Sequence, residues 1–228
     1  MNSICIFGDS IAKGVVFDAV KKKYSILKDS FANLLGREGA GVMNHARFGC
    51  TVTEGMKILL RHREAIGACD LTLLEFGGND CDYNWEDVSR DPARNHDCKT
   101  PIAIFSERYE ALIDTIRAHG GRPLLLTLPP VDEHRYFAWI SKGLNADNII
   151  GFLGTVRTIF TWQETYSGIV RALAEAKGVP LVDVRAAFLA LRDYRKSLCE
   201  DGIHPNETGH RLIFELLKSK LLPLAAGP

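Results

Sequence analysis

Three short stretches carry side chains whose types and spacing suit nucleophilic chemistry. Gly8-Asp9-Ser10 follows directly on the apolar run Ile4-Cys5-Ile6-Phe7. A serine hydroxyl therefore stands at the carboxyl end of an expected strand, the rim at which open α/β sheets bind ligands. Gly77-Gly78-Asn79-Asp80 follows a second apolar run, Leu71 to Phe76. Paired glycines let backbone approach a ligand closely, and Asn79 offers a neutral amide donor suited to a developing oxyanion. Asp201-Gly202-Ile203-His204-Pro205 sets an imidazole before a proline, which keeps His204 extended at the mouth of the last helix. With Gly202 easing the bend, Asp201 is in reach of that imidazole and suited to fixing its tautomer.

Taken singly, each stretch has an ordinary explanation. Asp-Ser after a strand makes turns and helix caps, Gly-Gly-Asn-Asp makes turns, and a histidine ahead of a helix is commonly a cap. Gly49, in Arg47-Phe48-Gly49-Cys50-Thr51, reads alone as a turn glycine. What shifts the weighing is shared location: Ser10, Gly49, Asn79 and His204 all fall just past expected strands. A nucleophile, a backbone donor, an amide donor and a base are the parts of an acyl-transfer site. Asp9 and Asp80 are read as stiffening their own loops, and His119 and His210 as cap or surface residues.

The elements that must position these groups alternate strand and helix, the pattern of an α/β fold. Strands are expected at 4–7, 42–47 (polar, suited to an edge), 71–76, 123–128 and 180–184. Helices are expected at about 27–36, 52–66, 103–118 and 161–176, and from 206 onward. The reading is one domain over residues 1–228, a five-stranded, mostly parallel sheet with helices on both faces. Long connections at about 81–102 and 129–160 interrupt it. The second holds Tyr136, Phe137, Trp139, Ile149, Ile150, Phe152 and Leu153, enough apolar material to form a cap-like insertion or a subunit contact.

Gly8-Asp9-Ser10, Gly49, Gly77-x-Asn79-Asp80 and Asp201-x-x-His204 resemble blocks I, II, III and V of the SGNH (GDSL-like) hydrolases, in the same order. The likeness spans positions 8 to 204. It departs at block I, which reads Gly-Asp-Ser-Ile in place of Gly-Asp-Ser-Leu, a mild apolar swap. The resemblance implies a three-layer α/β/α, flavodoxin-like sheet of order 2-1-3-4-5 and a Ser-His-Asp triad. By that likeness Ser10 attacks, His204 is general base then acid, and Asp201 orients His204. The oxyanion hole would be the N–H groups of Ser10 and Gly49 with the Asn79 side chain. A carboxylic ester hydrolase needing no cofactor or metal is implied, with an acetyl or other short acyl group as the expected substrate.

Composition narrows the alternatives. Among 228 residues, Lys+Arg and Asp+Glu each total 28, a formal net charge of zero, which offers nucleic acid or anionic membrane no electrostatic attraction. The N-terminus lacks a secretion-signal pattern and no run is long enough to span a membrane, so a cytoplasmic protein acting on a small-molecule ester is expected. A homo-oligomer is compatible with this reading. The six cysteines (5, 50, 69, 81, 98, 199) show no zinc-binding spacing and are expected as free thiols. Ser10-x-x-Lys13 also matches a lysine-activated serine pattern, but Ser25-x-x-Lys28 repeats it by chance and no companion motif occurs. Two rivals stay open: a metal-dependent phosphoesterase built on Asp9, Asp80, Asp201 and His204, and a non-catalytic carbohydrate- or nucleotide-binding module.

Overall fold

A computed structural model describes residues 3–225. Its main sheet is parallel throughout, built from β1 (Ser3–Gly8), β4 (Gly41–Asn44), β5 (Leu71–Glu75), β6 (Pro123–Leu126) and β7 (Leu181–Val182), in the order β4-β1-β5-β6-β7. With the strands of this sheet counted alone, that is the expected 2-1-3-4-5 order. An antiparallel hairpin of β2 (Val15–Asp18) and β3 (Lys23–Ile26), absent from the sequence reading, forms a separate two-stranded sheet.

The strands are apolar on both sides because both faces are covered. Ile4 and Ile6 join Leu71, Leu73, Leu124 and Leu126 on one face, under the helices Phe31–Arg37, Val184–Leu189 and Glu207–Ala225. Cys5 and Phe7 point the other way and join Leu74 and Leu125 under the helices Val52–Arg61, Ile102–Ala118 and Arg157–Ala176. This period-two division of apolar side chains is what a doubly wound parallel sheet demands. The arrangement is the three-layer α/β/α architecture that the resemblance implied. The helix expected over 52–66 is broken at His62, where a second short helix, Arg63–Ala68, begins.

The 129–160 connection folds into two helices, Glu133–Ile140 and Ala146–Leu153. They bury Ile149 and Leu153 with Val88, Val131, Ile159 and Phe160 in a third apolar cluster, beside the sheet rather than on it. Helix Trp85–Arg90 from the other long connection packs there as well. No helix among the described residues is long and apolar enough to cross a membrane.

The sheet centre and its edge should answer differently to truncation. Leu125, fully buried in β6, should cost about 2–5 kcal/mol as Leu125→Ala. Met43, 38% exposed on the edge strand β4, should cost less than about 1 kcal/mol as Met43→Ala. Urea unfolding midpoints check both, and equal losses would contradict this placement of the core.

Candidate active site

Ser10 opens a single-turn helix, Ser10–Lys13, directly after β1. Asp9 caps that turn, its Oδ1 accepting the Ile11 N–H at 2.8 Å. The turn ends at Gly14 in the left-handed region. The serine is therefore fixed at the carboxyl edge of a central strand, and it is 7% exposed.

Across the rim, Asp201 Oδ2 lies 2.6 Å from His204 Nδ1, and His204 Nε2 lies 2.8 Å from Ser10 Oγ. An ionised carboxylate only accepts, so Nδ1 carries the imidazole proton and the Nε2 lone pair accepts the serine O–H. Burial alone would raise the Asp201 carboxyl, but hydrogen bonds from His204 and from the Ile203 and His204 backbone N–H groups hold it below its ordinary value. The loop is pinned from outside too: Cys199 N donates to His204 O at 2.8 Å, and the Asn206 side chain donates to the Lys196 and Leu198 carbonyls. Tyr24 of β3 meets the His204 ring edge-on at 5.2 Å, and Phe48 stacks over it at 6.1 Å.

Gly49 and Asn79 line the same cavity as Ser10 and His204. Asn79 Nδ2 donates to Asp9 Oδ2 at 3.0 Å, which orients the amide and leaves its second N–H free. No acceptor among the described residues takes the N–H of Ser10 or of Gly49. Three donors thus stand uncommitted beside the serine. Asp80 joins two of these loops, since its carboxylate accepts the Val52 N–H at 2.9 Å while its own turn carries Asn79. Burial raises Asp80 to about 6.

Behind the serine sits a group that sequence reasoning missed. Glu75, the last residue of β5, is 1% exposed and hydrogen-bonds Asp9, which is equally buried. Burial, then the charge of Asp9, pushes the Glu75 carboxyl well above its ordinary value. Asp9 is raised by burial as well, but Ile11, Asn79 and Glu75 all donate to it. The proton of the pair therefore resides on Glu75, whose Oε2 accepts the Ala12 N–H at 3.2 Å. Its signal in the sequence was a lone acid closing the apolar run Leu71-Thr72-Leu73-Leu74-Glu75.

Two other expectations need correction or refinement. His210 is not a surface residue: it is fully buried, stacked on Phe31, whose N–H its Nδ1 accepts at 3.5 Å, and lowered to about 4 by burial. Its position on the final helix faces the start of the helix Phe31–Arg37, which histidine identity alone does not reveal. Asp9, Asp80 and Asp201 face separate partners, and among the described residues no group of three or more His, Cys, Asp or Glu side chains converges to hold a metal ion. The six cysteines are free thiols.

The fold and this rim together define an α/β hydrolytic enzyme of the SGNH type. A model of the GDSL-like lipase/acylhydrolase family matches residues 6–212, and the chain belongs to that family. Its fold is similar to a lipase/acylhydrolase from Enterococcus faecalis, with a TM-score of 0.67 at 22% identity over 97% of this chain and 95% of that one. A hydrolase from the metagenome of Lake Arreo, Spain, gives 0.67 at 19% over 98% and 96%. A catalytic mutant of an acetylxylan esterase from Geobacillus stearothermophilus gives 0.65 at 15% over 96% and 94%. No curated protein matches the sequence.

Two substitutions probe the frame around the site. Below its ordinary value of 4.5, Glu75 is protonated whether the chain is folded or not. Above it, the unfolded chain releases a proton that the folded chain keeps, so this residue costs stability as pH rises, by up to about 1.4 kcal/mol per pH unit. Glu75→Gln lacks that cost, so its stability relative to wild type should grow between pH 5 and 8. A gap that stays constant or narrows in urea titrations would refute protonated Glu75. Gly202 has φ +77°, and an added Cβ would meet Asp132 O at 2.7 Å, whereas Gly143 at φ +78° has open space. Gly143→Ala should cost about 1–3 kcal/mol from strain alone. Gly202→Ala should cost clearly more, as thermal midpoints would show.

Proposed function

We propose that the chain is a carboxylic ester hydrolase working through an acyl-enzyme on Ser10. One observation carries the reading. A hydrogen-bonded line from Asp201 through His204 to Ser10 ends beside three uncommitted N–H donors at the floor of a cavity.

In the first step Ser10 Oγ forms a bond to the ester carbonyl carbon while its proton passes to His204 Nε2. Negative charge collects on the carbonyl oxygen, where the Ser10 and Gly49 N–H groups and the Asn79 amide stabilise it. The carbon–oxygen bond to the alcohol then breaks as His204 returns the proton to the leaving oxygen. A water molecule repeats the sequence against the acyl-enzyme, releasing the acid and restoring the Ser10 hydroxyl. Asp201 keeps the imidazole in the tautomer this requires and stabilises the imidazolium between proton transfers. The 129–160 helices serve as a cap over the same site. Each of these groups comes from one chain, so the reading needs no second subunit.

An acetyl substrate, expected from the sequence, has a parallel in the acetylxylan esterase of similar fold.

A fluorophosphonate probe should label the wild-type protein and leave Ser10→Ala unlabelled. Ser10→Ala or His204→Ala should cost roughly 10^4-fold or more in ester turnover, and Asp201→Asn a comparable factor, with EDTA harmless. Folded wild-type protein that neither labels nor turns over esters would leave a non-catalytic binding module standing instead. Turnover that survives Ser10→Ala and falls with EDTA would favour metal-dependent chemistry.

A further inference from the structure

Two hydrogen bonds fix where the His204 nitrogens lie, one to Asp201 and one from Ser10. They do not set the tilt of the ring, nor do they keep water from the Nδ1–carboxylate bond, which water would weaken. Two aromatic rings stand where those tasks are met. Tyr24 meets the imidazole edge-on at 5.2 Å, with 61° between the planes, and Phe48 lies nearly parallel to it at 6.1 Å. Among its neighbours His204 is left 3% exposed.

The two rings differ in how firmly they are held. Phe48 is 58% exposed. Tyr24 is half-buried and sits opposite Phe17 in the pairing of β2 with β3, with ring contacts to Phe17 at 5.4 Å and Trp139 at 6.2 Å. Trp139 in turn packs on Phe17 at 4.6 Å, so three rings from two elements brace one another. The hairpin starts at Val15, directly after the turn that carries Ser10, and Leu27 N donates to Gly14 O at 2.8 Å to close its base. In its own turn, Lys22 reaches Glu200, the neighbour of Asp201, at 3.3 Å. One hairpin thus leaves the nucleophile and returns an aromatic side chain to the base. The phenol brings no second charge to the pair, since burial and then the charge of Asp201 raise it well above its ordinary value.

Resting on the esterase reading above, we propose that Tyr24 is a positioning residue for the base: its ring, braced by Phe17 and Trp139, holds the tilt of the His204 imidazole and closes the His204–Asp201 hydrogen bond to water. The ring carries this role and the hydroxyl does not. Losing the ring slows proton transfer between Ser10 and His204, because a base a fraction of an ångström out of place transfers poorly. Tyr24 also lines the cavity. A wall contact of equal strength before and during reaction is read in KM, whereas the placement of the base is read in kcat.

The test compares three variants on p-nitrophenyl acetate, with circular dichroism to establish that each is folded. His204 serves both acylation and deacylation, so kcat reports its placement whichever step limits. Tyr24→Ala should lower kcat about 30-fold with KM within about twofold of wild type, and Tyr24→Phe should stay within about threefold in both. Phe17→Ala, which removes the brace from outside the cavity lining, should lower kcat by an intermediate factor, and it decides the matter if Tyr24→Ala does not fold. In proton NMR the far-downfield Nδ1–H signal of His204 should persist in wild type and Tyr24→Phe and be lost to water exchange in Tyr24→Ala. A raised KM at unchanged kcat would make Tyr24 a cavity wall alone and overturn the proposal. A phenylalanine variant as slow as the alanine one would overturn it too, since the hydroxyl would then carry the effect. If wild type hydrolyses no ester, the esterase reading falls, and the Nδ1–H signal, which needs no substrate, decides the positioning by itself.

Discussion

The hydrogen bond between Ser10 and His204 joins residues 194 positions apart, and most of the fold is arranged to keep it 2.8 Å long. The serine end is held by a buried central strand and the Asp9-capped turn. The histidine end lies on a loop with no strand of its own, so it needs more anchors. Leu198 and Pro205 form an isolated bridge across its base, and Asn206 ties its far side to residue 197. The final helix then packs on the face of the sheet that carries Ile4 and Ile6. The strand that leads into Ser10 and the helix that follows His204 thus share one apolar layer, and slippage between them would open a well-packed core.

The same rim carries an unusual load of buried carboxyl groups, and each is made tolerable in a different way. Asp201 is ionised because an imidazole N–H and two backbone N–H groups donate to it. Asp80 ties the Asn79 turn to the Gly49 loop through Val52. Asp9 and Glu75 lie together in a space that will not hold two charges, and a shared proton answers that. The arrangement leaves Asp9 able to accept from Asn79, so the orientation of a donor beside the serine depends on a glutamic acid one layer further in. A buried carboxylate left unpaired would be strongly destabilising, which is why these acids come with committed donors.

Much of this was legible in the sequence. Ser10, Gly49, Asn79 and His204 line one cavity, with Asp201 buried behind His204; the alternating apolar runs marked the strands, and the sheet order was implied by the resemblance. The hairpin of β2 and β3 was not legible for a physical reason. Its turn runs through Ala19-Val20-Lys21-Lys22 with no Gly, Asn or Asp, and Lys22 takes the left-handed conformation at φ 50°, so the usual turn signal is missing. The helices Trp85–Arg90 and Val184–Leu189 are too short for a 3.6-residue period to emerge. Tyr24 sits on that unmarked hairpin and Phe48 on the connection after β4, so the aromatic walls around His204 became visible only in three dimensions.

The 129–160 helices and the Asp201–His204 loop are not separate modules. Asp132 N donates to Gly202 O at 2.8 Å, and Asp132 also caps the helix Glu133–Ile140 through Arg135 N. Tyr194 OH donates to the Val131 carbonyl at 3.0 Å, and Glu133 pairs with Arg157 at 2.9 Å, binding the start of this segment to the helix that carries Trp162. The backbone between Asp201 and His204 is therefore fixed partly by the segment that walls the cavity. Trp139 of the helix Glu133–Ile140 meets Phe17 at 4.6 Å, so the hairpin that presents Tyr24 to His204 leans on the same segment. The walls of the cavity and the placement of the His204 imidazole are thus set by one shared group of contacts.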